Sequence, residues 1–188
     1  MVPNPYTKWS EVDSTLPDQE ILAFIPGTKH GTREVFEQKV LQSGCKMFAT
    51  DSVFKKRDGN ADGCTKLRQD GRVVEIDGDY TETLARISAD TNGVGVFGLS
   101  FYENNSDKLQ VARFQGTIPT HETIASGEYN VSRPLYIYVK TQHYGTTPGL
   151  KEFVQYIVSD ELAGSDGIMV QAGLVADPKL SDTQAKVK

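Results

Sequence analysis

These 188 residues contain no apolar run approaching the roughly 20 residues that cross a bilayer and no dense basic patch. Lysine and arginine total 20 against 25 acidic residues, a formal charge of −5 with a pI near 5.2. That balance gives no support to counterion-driven binding of nucleic acid or of an anionic membrane. The densest cationic cluster, Lys55, Lys56 and Arg57, is followed at once by Asp58 and reads as a solvated loop. Histidines number three and cysteines two, and Cys45 and Cys64, with no histidine nearby, fall short of the four ligands of a structural zinc. Absent too are the G-x-x-x-x-G-K-[ST] loop of nucleotide phosphate sites, the G-x-S-x-G nucleophile elbow, internal repeats and low-complexity blocks. The opening Met1-Val-Pro-Asn-Pro-Tyr6 has neither the basic start nor the apolar stretch of a secretion signal, so export is not legible here.

What is present is the balance of a chain able to bury a core, with 38% hydrophobic and 24% charged residues. One large domain, or one domain plus a piece of another, is expected. Cys45 and Cys64 bracket a segment rich in Asp, Gly and Lys. A disulfide there would tie a weakly held loop, and two unpaired thiols of a cytosolic protein are the alternative. The stretch Lys46–Lys66 carries no pattern and is long for a loop in a compact domain, so a functional surface feature or mobility is expected there.

Strand candidates at Glu20–Ile25, Arg72–Ile76, Val94–Phe101, Leu109–Phe114 and Pro134–Lys140 alternate with helical patterns, and each is bounded by Gly, Pro, Asn or Asp. The pattern is α/β. Phe36, Val40 and Leu41 give Arg33–Gln42 a helical stripe that stops at Gly44, and Tyr80, Leu84 and Ile87 form a second. The spacing of Leu150, Phe153, Val154 and Ile157 predicts a helix over Pro148–Val158, capped by Thr147 and opened by Pro148. A short helix near Asp166–Ala172 should stop at Gly173, ahead of a loose polar tail.

Chemistry concentrates in one place. Directly after the apolar strand comes Pro26-Gly-Thr-Lys-His-Gly-Thr32, and then a helix begins near Arg33. The first amides of a helix have no partner within it, and the helix dipole adds about half a positive charge there. An oxyanion fits such a junction. Gly31 lets the main chain approach a ligand, Thr28 and Thr32 offer hydroxyls, and Lys29, His30 and Arg33 offer side-chain donors. The plainer alternative makes Thr32 an N-cap and the glycines a tight turn, and the local residues leave both open. Catalysis is not expected. A Cys/His hydrolase would need Cys45 beside His30, yet a helix of roughly 10 residues at about 1.5 Å each separates them. Glu75, Asp77 and Asp79 alternate along a strand end and read as solvent-facing charges and a helix cap.

The run Tyr129-Asn-Val-Ser-Arg-Pro-Leu-Tyr-Ile-Tyr-Val-Lys140, preceded by Pro119-Thr-His-Glu-Thr-Ile-Ala-Ser-Gly127, resembles a signature of phosphate ABC-transporter substrate-binding proteins (PstS-like). Further pieces match in family order: Trp9-Ser-Glu-Val-Asp13, Gly31-Thr32-Arg33, Arg68-Gln-Asp-Gly71, Gly93–Tyr102 and Pro148–Val154. The resemblance spans essentially the whole chain. It implies a type II periplasmic binding protein-like fold, a mixed sheet flanked by helices. It assigns residues 1–131 to the second of two lobes and residues 132–188 to a segment returning to a first lobe whose N-terminal part this chain lacks. On this reading the C-terminal strand and helices expose apolar surface, so self-association of the fragment is expected.

The resemblance also implies inorganic phosphate as ligand, an ABC permease as partner, a periplasmic location, no enzyme activity and no cofactor. The family's turn has the form Arg-x-x-x-Ser-Gly-Thr. Here Gly31 and Thr32 match, His30 stands for Ser, and Pro26 stands where the Arg is expected, with Arg33 as its substitute. His30, Gly31, Thr32 and Arg33 are therefore the expected phosphate ligands, with Thr28 and Lys29 as additional candidates. A different oxyanion, or a signalling or adhesion role on the same fold, is the alternative.

Overall fold

The apolar run Ile21-Leu-Ala-Phe-Ile-Pro26 has no polar face, the composition of a strand buried on both sides of a parallel sheet. In the computed structural model, which describes residues 5–47 and 64–187, β1 (Ala23–Pro26) is the centre of a three-stranded sheet. It pairs in parallel with β2 (Val73–Ile76), Ala23 opposite Val73, and with β3 (Val94–Gly95), Ala23 opposite Val94. Phe24, Ile25 and Ile76 are buried, with Ile21 beside them. The unpatterned stretch 46–66 lies mostly outside the described residues.

The chain divides into two compact units, residues 1–98 and 99–188, a division that falls ahead of the 131/132 lobe boundary expected above. In the first unit a short helix α1 (Trp9–Val12) closes an N-terminal strap. The strap is held by the Ile21 amide to the Thr7 carbonyl (2.9 Å), by Arg68 Nη1 to the Tyr6 carbonyl (2.8 Å) and by Lys8 Nζ to Asp18 (2.9 Å). After β1 comes α2 (Gly31–Phe36), which runs through a π-helical stretch (Glu37–Leu41) into α3 (Gln42–Met47) without leaving helical backbone. Cys45 at its end is joined to Cys64 by a disulfide, Cα to Cα 6.0 Å. After β2 comes α4 (Tyr80–Ala89), opened by the expected cap: Asp79 Oδ1 accepts from the Thr81 amide at 3.0 Å.

The predicted strand Val94–Phe101 is a strand only over Val94–Gly95. Past Gly98 the same apolar residues form α5 (Leu99–Glu103), because a short apolar run has no period that separates strand from helix. The second unit contains no extended strand among the described residues. Leu109–Phe114 forms one isolated bridge, Phe114 with Thr117, around a tight turn at Gln115 (φ 51) and Gly116 (φ 87). Helix α6 (His121–Ala125) is capped by Thr120.

Residues 132–140 carry no regular secondary structure, so the strand expected over Pro134–Lys140 is not formed among the described residues. Helix α7 (Leu150–Ile157) starts two residues late, with Gly149 (φ 77) as its N-cap where Thr147 was expected. Val154 in the helix and Val158 at its C-cap are buried, and α7 packs on α8 (Asp160–Ala163), which in turn packs on α9 (Ile168–Gln171). Gly173 (φ 92) ends α9 as the sequence predicts: its amide bonds to the Val170 carbonyl, and that of Leu174 to the Met169 carbonyl. The tail is not loose. It forms α10 (Leu180–Lys186), fastened by Gln184 Nε2 to the Val158 carbonyl (3.0 Å) and Asp160 (2.9 Å), and by Gln155 Nε2 to the Val187 carbonyl (3.1 Å).

Candidate functional site

Because β1 and β2 run parallel, their C-terminal ends lie side by side, and both strand-to-helix turns open at one edge of the sheet. Crevices at that edge are where ligands sit in open α/β sheets. The first turn is pinned at its base, where the Gly27 amide donates to the Ile76 carbonyl at 2.9 Å. Gly27 is buried with the Asp77 carboxylate packed where a β-carbon would stand, so a larger residue there would have to displace that side chain. Thr28 and Lys29 are exposed.

The two helix starts differ. Asp79 caps α4 from within, whereas α2 begins at His30, whose backbone is extended (φ −91, ψ 132) and whose side chain makes no capping bond. The His30 amide donates to the Gly27 carbonyl and that of Arg33 to the His30 carbonyl, both at 3.0 Å. Between them, the amides of Gly31 and Thr32 meet no acceptor among the described residues. Two neighbouring N–H groups at the positive end of a helical run form a nest for an anion oxygen.

Around that nest His30 and Thr32 are both half-buried and both meet Tyr80. Thr32 Oγ1 lies 2.7 Å from the Tyr80 hydroxyl, and the His30 ring lies obliquely against the Tyr80 ring, 5.9 Å between centroids. Arg33 goes elsewhere. It is 5% exposed, with Nη1 donating to the Pro26 carbonyl (3.0 Å) and Glu75 (2.9 Å) and Nε to Glu37 (2.7 Å). Burial works against its charge, yet the hydrogen bonds and charges of Glu75 and Glu37 outweigh this and hold its pKa above an arginine's ordinary value. An open depression of about 500 Å³ adjoins Arg33, lined also by Lys66, Arg68, Val73 and Glu75 but by none of residues 26–32.

The structure thus brings His30, Gly31 and Thr32 together at one edge and draws Arg33 into a network beneath the turn. Sequence reasoning did not find Tyr80 in this setting, having placed it in a core-facing stripe, nor the pairing of Glu75 with Arg33. The signal available was position: Tyr80 follows the end of β2 at the same offset by which His30 follows the end of β1. As for chemistry, the arrangement offers donors to an oxyanion and no thiol nucleophile, since Cys45 and Cys64 are joined to each other.

Comparison with known proteins adds ancestry to this geometry. The phosphate-binding protein PstS of Staphylococcus haemolyticus is 31% identical over 176 residues, which is 91% of this chain and 46% of that protein. PstS of Staphylococcus saprophyticus is 29% identical over 185 residues, 96% of this chain and 49% of that one. The chain therefore spans about half the length of the curated relatives it matches. Among solved structures, a possible phosphate binding protein from Planctomyces limnophilus superposes with a TM-score of 0.65 at 24% identity, over 99% of this chain and 59% of that one. PstS from Borrelia burgdorferi superposes with a TM-score of 0.60 at 23% identity, over 92% and 58%. These two likenesses bear on the fold alone. A model of the PBP superfamily domain matches residues 4–161, and the chain belongs to that superfamily.

Proposed function

We propose that the protein carrying this chain captures inorganic phosphate for an ABC importer, closing two lobes around the ion and delivering it to the membrane permease from the periplasmic side. The observation that carries the reading is the pair of uncapped amides at Gly31 and Thr32, in a chain whose relatives bear the name phosphate-binding protein. His30, Gly31 and Thr32 hold the ion, with Thr28 and Lys29 at its rim. Arg33 contributes its charge from beneath and keeps the Pro26 carbonyl turned inward. Net negative charge is no obstacle, because oriented N–H and O–H dipoles in a dry cleft replace the hydration shell of an anion. Catalysis plays no part in this role.

Residues 1–131 serve as the second lobe and residues 132–188 return to the first. Supporting that split, an open apolar face begins in the returning segment: Leu135 is 68% exposed, Tyr136 69% and Tyr138 91%, and Phe153 on α7 is 60% exposed. A groove of about 460 Å³ runs between that segment and α7, floored by Val154 and Ile157. The curated relatives are about twice as long as this chain, and a first lobe packed on this face would cover it. His30, in place of a serine, favours a second reading, a related oxyanion as ligand.

Calorimetry of the native full-length protein with phosphate, sulfate and arsenate tests both. Phosphate binding that weakens in Thr32→Val and changes strength or pH profile in His30→Ser is the expected result. Isotherms unchanged in both variants would make the turn structural, and tighter binding of sulfate would give the site to the second reading.

A further inference from the structure

The Tyr80 hydroxyl is held in place from several sides. Its backbone opens α4 behind the Asp79 cap, its ring meets Phe97 edge-on at 5.7 Å, and the ring passes Gly98, where a side chain would come within 3.7 Å of it. The hydroxyl so fixed lies 2.7 Å from Thr32 Oγ1. Each of these two hydroxyls has one hydrogen to give and lone pairs to receive. If Thr32 donates to Tyr80, its hydrogen is spent and an anion at the Gly31 and Thr32 amides meets only lone pairs. If Tyr80 donates to Thr32, the Thr32 hydrogen is free for the anion.

Resting on the phosphate reading of this turn, we infer that Tyr80 is a positioning residue for ligand capture: its hydroxyl donates to Thr32 Oγ1 and so commits the Thr32 hydroxyl as a donor to the bound oxyanion. An unprotonated oxygen of the anion can only accept from that hydroxyl, so binding through such an oxygen selects this direction of the pair. Donation by Tyr80 also polarises the Thr32 O–H, strengthening the bond it gives. Tyr80 itself touches no ligand in this scheme. Its ring, lying obliquely against that of His30, bears on the other half-buried side chain of the turn from the same point.

Tyr80→Phe keeps the ring against His30, Phe97 and Gly98 and removes only the hydroxyl. In calorimetry of the native full-length protein with inorganic phosphate, this variant should bind about five- to tenfold more weakly, the loss of one hydrogen bond's orienting effect, with its melting temperature little changed. Combined with Thr32→Val, it should bind no more weakly than Thr32→Val alone, because it acts through that hydroxyl. Thr32→Ser, which retains the hydroxyl, should keep the dependence on Tyr80. Thr32→Val weakened with Tyr80→Phe unchanged, or fully additive losses, would overturn the role of Tyr80 and leave the site standing. Thr32→Val unchanged, or no phosphate binding by the wild type, would remove the site reading and this inference with it.

Discussion

Arg33 Nη1 lies 2.9 Å from Glu75 and 3.0 Å from the Pro26 carbonyl, so one guanidinium joins the end of β1, the end of β2 and the first turn of α2. Replacing Arg33 leaves a buried carbonyl and two carboxylates without their shared partner. Arg33→Met should lower stability by about 1–3 kcal/mol, read as a shift in the denaturant midpoint. Arg33→Lys should recover only part of this, since one ammonium cannot reproduce the planar fork that serves three acceptors. A residue acting only as a surface ligand would change affinity and leave the midpoint in place.

Gly27 makes a different demand. A β-carbon there would collide with the Asp77 carboxylate and stand 3.3 Å from the Asp77 Cα. Gly27→Ala should therefore cost about 1–3 kcal/mol by overpacking. The double variant Gly27→Ala with Asp77→Ala should regain part of the loss, because the carboxylate is removed and the backbone contact remains. Thermal melts of the three variants decide it.

The Cys45–Cys64 disulfide closes a loop with a sequence separation of 19 residues. Loop-closure entropy gives such a cross-link about 3 kcal/mol. Reduction, or Cys45→Ser with Cys64→Ser, should lower the melting temperature while leaving phosphate affinity within about twofold, since neither cysteine belongs to the turn.

Acid should loosen the N-terminal strap. Glu11 accepts from the Thr7 amide (2.5 Å), the Lys8 amide (2.9 Å) and the Thr7 hydroxyl (3.1 Å), and these bonds, the Thr7 amide foremost, hold its pKa below the ordinary value. A carboxylate with a depressed folded pKa contributes stability that is present above its unfolded pKa and lost as pH falls through the folded one. Protection of the Trp9 and Ile21 amides, whose bonds close the strap, should fall as the pH drops below the ordinary glutamate range. Glu11→Gln should flatten that dependence.

The open apolar face predicts behaviour of the isolated chain. Tyr136 and Tyr138, 6.3 Å apart between ring centroids, stand on a segment that belongs to no helix or strand among the described residues. Such a segment is a template for pairing with another chain. Sedimentation should show concentration-dependent association of residues 1–188, abolished by Tyr136→Lys with Tyr138→Lys. A monomer at all concentrations would remove the proposed self-association.

Much of the local structure was legible because its causes are local. An apolar run followed by Pro-Gly is a strand that stops. Asp79 ahead of Tyr80, and Gly173 after Gln171 and Ala172, are a cap and a stop whatever surrounds them. Expectations failed where the local code is ambiguous or silent. The apolar stretch after Gly95 has no period to distinguish strand from helix. The polar tail carries little hydrophobic signal, and α10 is held by amide side chains at both ends of the contact, Gln155 of α7 donating to the Val187 carbonyl and Gln184 of α10 to the Val158 carbonyl.

The sequence alone determined the strand-turn-helix at residues 23–36 and was enough to put forward Gly31 and Thr32 as anion contacts. Tertiary structure decided their partners. Thr32 and Tyr80 are 48 residues apart, and Arg33 and Glu75 are 42 apart. What brings each pair together is the parallel register of β1 on β2, a pairing of distant backbone groups that no local propensity encodes. The same register set one arginine beneath the turn and one tyrosine beside it, where composition had offered both only as nearby donors and core.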